Sequence, residues 1–260
     1  MTSLLLRLAG PLQSWGERAA FPAVRDTAPF PTRSGLIGLI SAAEGRGREE
    51  NPQDYAALEF TVRVDRPGVL LSDYHTVGGG YPKNRTAATA GGGNKGAAVI
   101  TRRHYLADAV FVVAVTGADD DIDRIGAALE SPHWAPHLGR RSCAPDEPFL
   151  LRTGVRDPDA ELRTRVPLSS PHRSDRQPRQ HDNGAGTVRV DFLRERPPPG
   201  GAGNGASLSV QDMPVSFAPQ GRIHGKRHLY RTTEDLSRSL LTEPADLHRR
   251  LIDYALETTA

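Results

Sequence analysis

The chain has 260 residues, of which 37% are hydrophobic, 26 are glycine and 21 are proline. That length suffices for a sizeable core in one large domain, or in one domain with a smaller appendage, and the glycine and proline content indicates many loops. The formal net charge of +2 excludes a protein that binds nucleic acid through its total charge alone. Local basic patches can still bind phosphates, and three are visible: Arg102 to His104, Arg140-Arg141 and Arg222 to Arg231.

The single cysteine, Cys143, excludes a disulfide within the chain and a cysteine-based metal site, and it suits a reducing cytoplasm. The apolar run at the N-terminus is interrupted by Arg7 and lacks a small-residue cleavage pattern after it, so we expect no signal peptide. The longest later apolar run, 109–115, is far shorter than the ~20 residues that a membrane helix needs. We therefore expect a cytoplasmic protein without a membrane contact.

The first predicted element is a short buried strand near the N-terminus. Leu4, Leu6 and Leu8 alternate with other residues at the period of two that is typical of strands. Gly10-Pro11 ends the strand, because proline cannot donate to a ladder. Trp15 follows at the strand's end, where it could contact a ligand or plug the core.

The segment 31–45 is predicted to be a helix, with its apolar positions on one face and Gly45 at its end. Thr32 or Ser34 is the expected N-cap. A helix start offers free backbone N–H groups, and with Arg33 beside them the start suits a phosphate. The alternative is ordinary capping next to a solvated arginine.

A long hairpin is predicted in the middle of the chain. Strands are expected over 69–75 and 99–105, which puts His75 and His104 at its two feet. Between them lies the glycine-rich segment 77–98, which has no acidic residue. Its glycines and scattered cations are typical of a flexible arm that could settle on nucleic acid.

The remaining elements complete a βαββαβ order. A half-buried strand over 60–64 precedes the hairpin, and a central strand over 109–115, a helix over 121–131 and a strand over 148–152 follow it. This order predicts an α+β, ferredoxin-like (RRM-like) domain with a protruding hairpin thumb and a smaller β-rich C-terminal part. Our expected division is a ferredoxin-like domain 1–153 with a thumb at about 75–105, an irregular part 154–242 with strands over 187–192 and 207–217, and a C-terminal helical extension 243–260.

Five motifs stand out along the chain: LRLAGPLQSWG at 6–16, FPTRSG at 30–35, DYHTV at 73–77, RHYLADA at 103–109 and LGRRSC at 138–143. In this order they resemble the CasD family of RAMP-superfamily subunits from the type I-E CRISPR surveillance complex Cascade. The resemblance covers residues 3–153 and is weaker beyond. Two features depart from the family pattern, a longer glycine-rich arm at 78–98 and a helix after residue 242.

The resemblance implies a non-catalytic subunit that grips the 5′ handle of the CRISPR RNA and caps the backbone of the complex in antiviral defence. It also implies that a hairpin thumb folds over a kinked nucleotide. The implied neighbours are a CasC-type backbone subunit and a CasA-type large subunit, with target DNA as an indirect partner. No cofactor is implied.

RNA phosphates attract arginine and lysine, and splayed bases stack on aromatic rings or guanidinium planes. Those preferences, with the matched motifs, select the candidate RNA-binding residues. For Trp15 and His75 a structural role is an open alternative. The candidates are Trp15, Arg25, Arg33, Ser34, His75, Arg102, Arg103, Tyr105, Arg140 and Arg141.

The competing hypothesis is a metal-independent endoribonuclease that processes CRISPR repeat RNA. It needs His75, His104, Tyr105 and Lys83 to gather near the hairpin foot, since general acid–base catalysis requires hydrogen-bonding distance. No spacing of histidines, cysteine and carboxylates matches a metal site, so we expect neither a metal nor a metalloenzyme.

Overall fold

The structure, a computed structural model, describes residues 1–16, 24–86, 93–94, 98–169, 186–197, 206–218 and 222–257. Within these ranges the chain forms strands and helices in an α+β arrangement. In chain order they are β1 (Thr2–Ala9), β2 (Leu12–Gln13), β3 (Val24–Arg25), α1 (Arg33–Ala43), β4 (Glu59–Arg66), β5 (Val69–Val77), β6 (Val99–Ala107), β7 (Val110–Gly117), α2 (Asp119–Glu130), β8 (Leu150–Val155), α3 (Pro158–Thr164), β9 (Leu168–Ser169), β10 (Thr187–Arg194), β11 (Ala206–Ser216), β12 (Ile223–Ser237), β13 (Leu241–Thr242) and α4 (Pro244–Leu256).

The main sheet has seven strands in the order β11-β12-β10-β4-β7-β1-β8. Every neighbouring pair in it is antiparallel. Strand β7 lies between β4 and β1 and is buried at nearly every position, which confirms the central place predicted for 109–115. Strands β10 to β12 continue the same sheet beside β4, so the strands predicted after residue 186 do form, while the domain boundary at 153 stays a prediction.

Side-chain alternation in β1 gives the sheet a core on each face. Leu4, Leu6 and Leu8 point into the core beneath α1 and α2. Leu5 points the opposite way, into a second core that includes Leu251 of α4 and is closed by α3 and α4. Helices therefore cover both faces of the central strands, and the helix predicted near the C-terminus is part of the packed structure.

Local sequence signals explain where the helices begin. The Thr32 hydroxyl accepts a hydrogen bond from the Gly35 N–H at 3.3 Å, which confirms Thr32 as the N-cap of α1. Three aspartates occupy the first turn of α2, where the helix dipole favours them. Helix α3 and the long strand β12 were not predicted, because α3 has only seven residues and the basic character of 222–231 obscured its alternation.

The predicted hairpin is formed by β5 and β6, which pair from Val69 opposite Ala107 to Val77 opposite Val99. The other edge of β6 pairs with β2 and, in parallel, with β3. Residues 87–92 and 95–97 of the glycine-rich arm lie outside the described residues. No helix within the described ranges is both long and apolar enough to cross a membrane.

Candidate nucleic-acid interface

Backbone pairing brings two of the predicted arginines together at the foot of the hairpin. Strand β3 runs parallel to β6, and the register sets Arg25 beside Arg103. Tyr105 lies two residues further along β6, on the same face as Arg103 because side chains alternate along a strand. The foot of the hairpin thus presents two guanidinium groups close to an aromatic ring.

A tight turn delivers a third arginine to the same place. Gly139 has φ of +86° and lies so close to the preceding strand end that a Cβ there would sit 1.7 Å from the Ser14 carbonyl oxygen. Only glycine fits both constraints. The next residue, Arg140, places its guanidinium 4.5 Å from the centre of the Tyr105 ring and donates from NH2 to the Arg25 carbonyl at 3.0 Å.

One guanidinium nitrogen of Arg140, Nη1, is buried and makes no hydrogen bond with any described residue, as is also the case for nitrogens of Arg33 and Arg152. We call Arg25, Arg103, Tyr105 and Arg140 the foot cluster.

The electrostatics of the foot cluster favour an anion. Burial, and then the charges of Arg103 and Arg140, lower the pKa of Arg25. Asp73 lies directly opposite Arg103 on β5, and its carboxylate contacts His75 Nδ1 at 3.3 Å. A phosphate oxygen placed among these arginines would relieve their mutual repulsion.

Three further candidates lie around the cluster but outside it. Arg102 is exposed on the face of β6 opposite Arg103 and lies across from Tyr74. His75 is half-buried and contacts Asp73. Arg141 is exposed directly after Arg140. These side chains are accessible, yet none is held by the contacts that fix Arg140.

Arg33 has a structural role instead of the predicted phosphate contact. Its side chain is 2% exposed, and NH1 donates to both carboxylate oxygens of Glu195 at 2.8 Å. The backbone N–H of Arg33, at the helix start, donates to Asp212 Oδ2 at 2.8 Å. A carboxylate of the chain itself therefore takes the place predicted for a phosphate.

Trp15 and Ser34 are also part of the core. The Trp15 side chain is fully buried, its indole N–H donates to Gln13 Oε1 at 2.9 Å, and its ring packs against Gly35. Ser34 is 9% exposed and its hydroxyl faces that of Thr32. Neither side chain has surface for a base, so we remove both, with Arg33, from the RNA-contacting set.

Sequence reasoning missed the partners of Arg33. Arg227 donates from NH1 to Glu195 at 2.7 Å and from NH2 to Asp212 at 2.7 Å. We call Arg33, Glu195, Asp212 and Arg227 the charged clasp, which ties α1 to strands β11 and β12. The one sequence feature that could have indicated a buried ion pair here was Asp212, an acidic residue inside a predicted strand.

The groups of the competing ribonuclease hypothesis do not gather. His75 lies opposite Thr101 and His104 lies opposite Ser72 in the β5–β6 ladder, and the alternation puts the two histidines on opposite faces. Tyr105 is 6% exposed. Within the described ranges, no group of three or more histidine, cysteine or carboxylate side chains could hold a metal ion.

The fold and this site define a mixed α+β protein with a positively charged cluster at the foot of a hairpin. A family model described as CRISPR-associated protein (Cas5) matches residues 3–230. The chain belongs to the CRISPR-associated Cas5 family.

Relatives of known description agree with this. The Cascade subunit CasD of the CRISPR system of Escherichia coli strain K12 is 38% identical over 180 residues, which are 64% of this chain and 77% of that protein. A solved chain from a CRISPR RNA-guided surveillance complex is 42% identical, with a TM-score of 0.84, covering 98% of this chain and 100% of its own length. A chain from a crystal structure of a Cas protein is 31% identical, with a TM-score of 0.59, and the match covers 93% and 98% of the two chains.

Proposed function

We propose that this chain is a non-catalytic, RNA-binding subunit of a Cascade-type CRISPR surveillance complex and that it grips the 5′ handle of the guide RNA. The single observation that carries the proposal is the convergence of Arg25, Arg103 and Arg140 around the Tyr105 ring in the foot cluster. The CasD relative and the matched chain of a surveillance complex support the assignment to such an assembly.

The foot cluster has the chemistry that a sharply bent RNA backbone requires. The Tyr105 ring fixes the plane of the Arg140 guanidinium. Arg25 and Arg103 add charge for the neighbouring phosphates, and the exposed Arg141 follows Arg140 directly in the chain. Phosphate contacts of this kind position an RNA without reading its sequence.

The fold supports binding at the hairpin instead of on the sheet. We assign the order β4-β7-β1-β8, with antiparallel neighbours, to a ferredoxin-like core and the β5–β6 hairpin to its thumb. RRM-type domains stack bases on an open sheet face. Here α3 and α4 close that face over the central strands, so we assign the 5′ handle of the guide RNA to the hairpin foot.

In this role the subunit caps one end of the complex in the cytoplasm. It contacts a CasC-type backbone subunit and a CasA-type large subunit, and it meets target DNA only indirectly. The ribonuclease alternative is not favoured, because the ladder register separates His75 from His104.

The test compares Arg140→Ala with Arg249→Ala, a control that removes an exposed arginine of α4 whose contact is with Asp246. We expect Arg140→Ala to weaken binding of a handle RNA to the purified chain by about 1.5–3 kcal/mol, the cost of losing a charged hydrogen bond. The control should match the unmodified chain. Equal affinities for all three proteins, measured by fluorescence anisotropy, would contradict the proposal.

A further inference from the structure

Strand β12 carries a second basic surface, on the sheet face that α3 and α4 cover elsewhere. Its residues alternate strictly between the two faces. Arg227 and Leu229 point inward, to the charged clasp and the first core. Lys226 and His228 point the other way and are exposed, and half-buried Tyr230 continues the row.

The neighbouring strand adds hydroxyl groups to the same face. Ser209 lies opposite His228 and Ser207 lies opposite Tyr230 in the β11–β12 ladder, and both serines are exposed. We call His224, Lys226, His228 and Tyr230 of β12, with Ser207 and Ser209 of β11, the β12 strip.

The helical layer ends before it reaches the strip. Arg163 of α3 donates to Glu234 at 2.7 Å, and Arg194 donates to the same carboxylate at 2.8 Å. Glu234 is the first acidic residue of β12 on this face, and these two arginines neutralise it. From His224 to Tyr230 no acidic side chain belongs to the strip.

Arginines supply the positive charge at the start of β12. His224 is half-buried, and burial, followed by the charge of Arg222, lowers its pKa and so favours the neutral imidazole. Burial, followed by the charge of Arg48, lowers the pKa of Arg222. Arg222 and Arg48 therefore extend the positive field of the strip toward the loop before residue 52.

We propose that the β12 strip binds the phosphodiester backbone of a single-stranded nucleic acid, at a site separate from the foot cluster. An open sheet surface with Lys226, the flanking Arg222, hydroxyl groups and a tyrosine suits this ligand. A protein partner is disfavoured, because lysine is depleted from protein interfaces and the strip has no apolar anchor beyond half-buried Tyr230. The strand bound is either the guide RNA or the target DNA.

The test uses the full chain with the substitutions Lys226→Glu and His228→Ala together, and Arg249→Glu on α4 as the charge-matched control. The probes are short single-stranded RNA and DNA of mixed sequence, which lack a handle. We expect the double variant to lose about tenfold in affinity, and the slope of log K against log salt to fall by about 0.7 for each lost phosphate contact. The control should keep both the affinity and the slope.

The two probes distinguish the guide RNA from the target DNA as the bound strand. A larger loss of affinity for the RNA probe assigns the strip to the guide RNA, and a larger loss of affinity for the DNA probe assigns it to the target DNA. Repeating the assay in the Arg140→Ala background separates this site from the proposed handle site. A further loss there supports the strip even if the handle proposal fails. The melting temperature of the double variant is compared with that of the unmodified chain to show that it is folded. If the folded double variant keeps the affinity and the slope for both probes, the inference is overturned. It is also overturned if the unmodified chain binds neither probe.

Discussion

At the scale of single residues, Gly139 decides whether the foot cluster exists. Its backbone is in the left-handed region, and any Cβ would collide with the Ser14 carbonyl oxygen. The Ser14 oxygen belongs to the backbone, so it cannot avoid the clash by a side-chain rotation. The position of Arg140 over Tyr105 therefore depends on a glycine that is not itself a member of the foot cluster.

We predict that Gly139→Ala destabilises the fold by more than about 1 kcal/mol, since left-handed backbone is costly for a residue with a Cβ and the clash adds to this. The matched control is Gly38→Ala, because Gly38 lies inside α1 with open space where the Cβ would go. There alanine should stabilise the protein by roughly 0.5–1 kcal/mol. Urea unfolding of the two variants gives both values, and equal effects would show that the turn tolerates a side chain.

At the scale of elements, the ion pairs of the charged clasp connect the C-terminal strands to α1. Its members come from the start of α1, the residue after β10, and strands β11 and β12. Arg33 is 162 positions from Glu195 and 179 from Asp212 along the chain. Both carboxylates are largely or fully buried, so they depend on the two arginines for compensation.

We predict that Arg33→Met destabilises the protein by about 3–5 kcal/mol, because it leaves buried carboxylates partly uncompensated. Arg46→Met is the control, since Arg46 also pairs with two carboxylates, Glu50 and Asp54, but at the surface. Its cost should be below about 1 kcal/mol. RNA affinity per folded molecule should be unchanged in both. A stable Arg33→Met variant that fails to bind RNA would restore Arg33 to the interface.

The separation in sequence between interacting residues explains which parts of the fold and site could be predicted from the sequence and which could not. Alternation identified β1, a continuous apolar run identified β7, and Thr32 was one of the two expected caps, because these signals are local. The motif with Arg140-Arg141 also pointed to the foot cluster. The role of Arg33 could not be predicted, since a helix start beside an arginine looks the same whether a phosphate or a remote carboxylate fills it.

At the scale of the whole molecule, the two helical layers determine where RNA can bind. Helices α3 and α4 pack on the second face of the sheet, with Leu251 and Tyr254 of α4 buried in its core. Tyr254 donates to Glu161 of α3 at 2.7 Å, which links the two helices. The central strands are therefore unavailable to bases, whereas the foot cluster and the β12 strip, among the described residues, lie outside this cover.

The handle proposal is tested most directly by locating the RNA at the foot cluster in the assembled complex. A photo-crosslinking residue replaces exposed Arg141, next to Arg140, and the crosslinked guide RNA is sequenced; the same residue in place of Arg249 on α4 is the control. We predict that crosslinks at position 141 map to the 5′ handle and that the control gives none. Crosslinks that map to the spacer or the 3′ end, or an assembled complex without crosslinks at position 141, would contradict the assignment of this chain as the subunit that grips the handle.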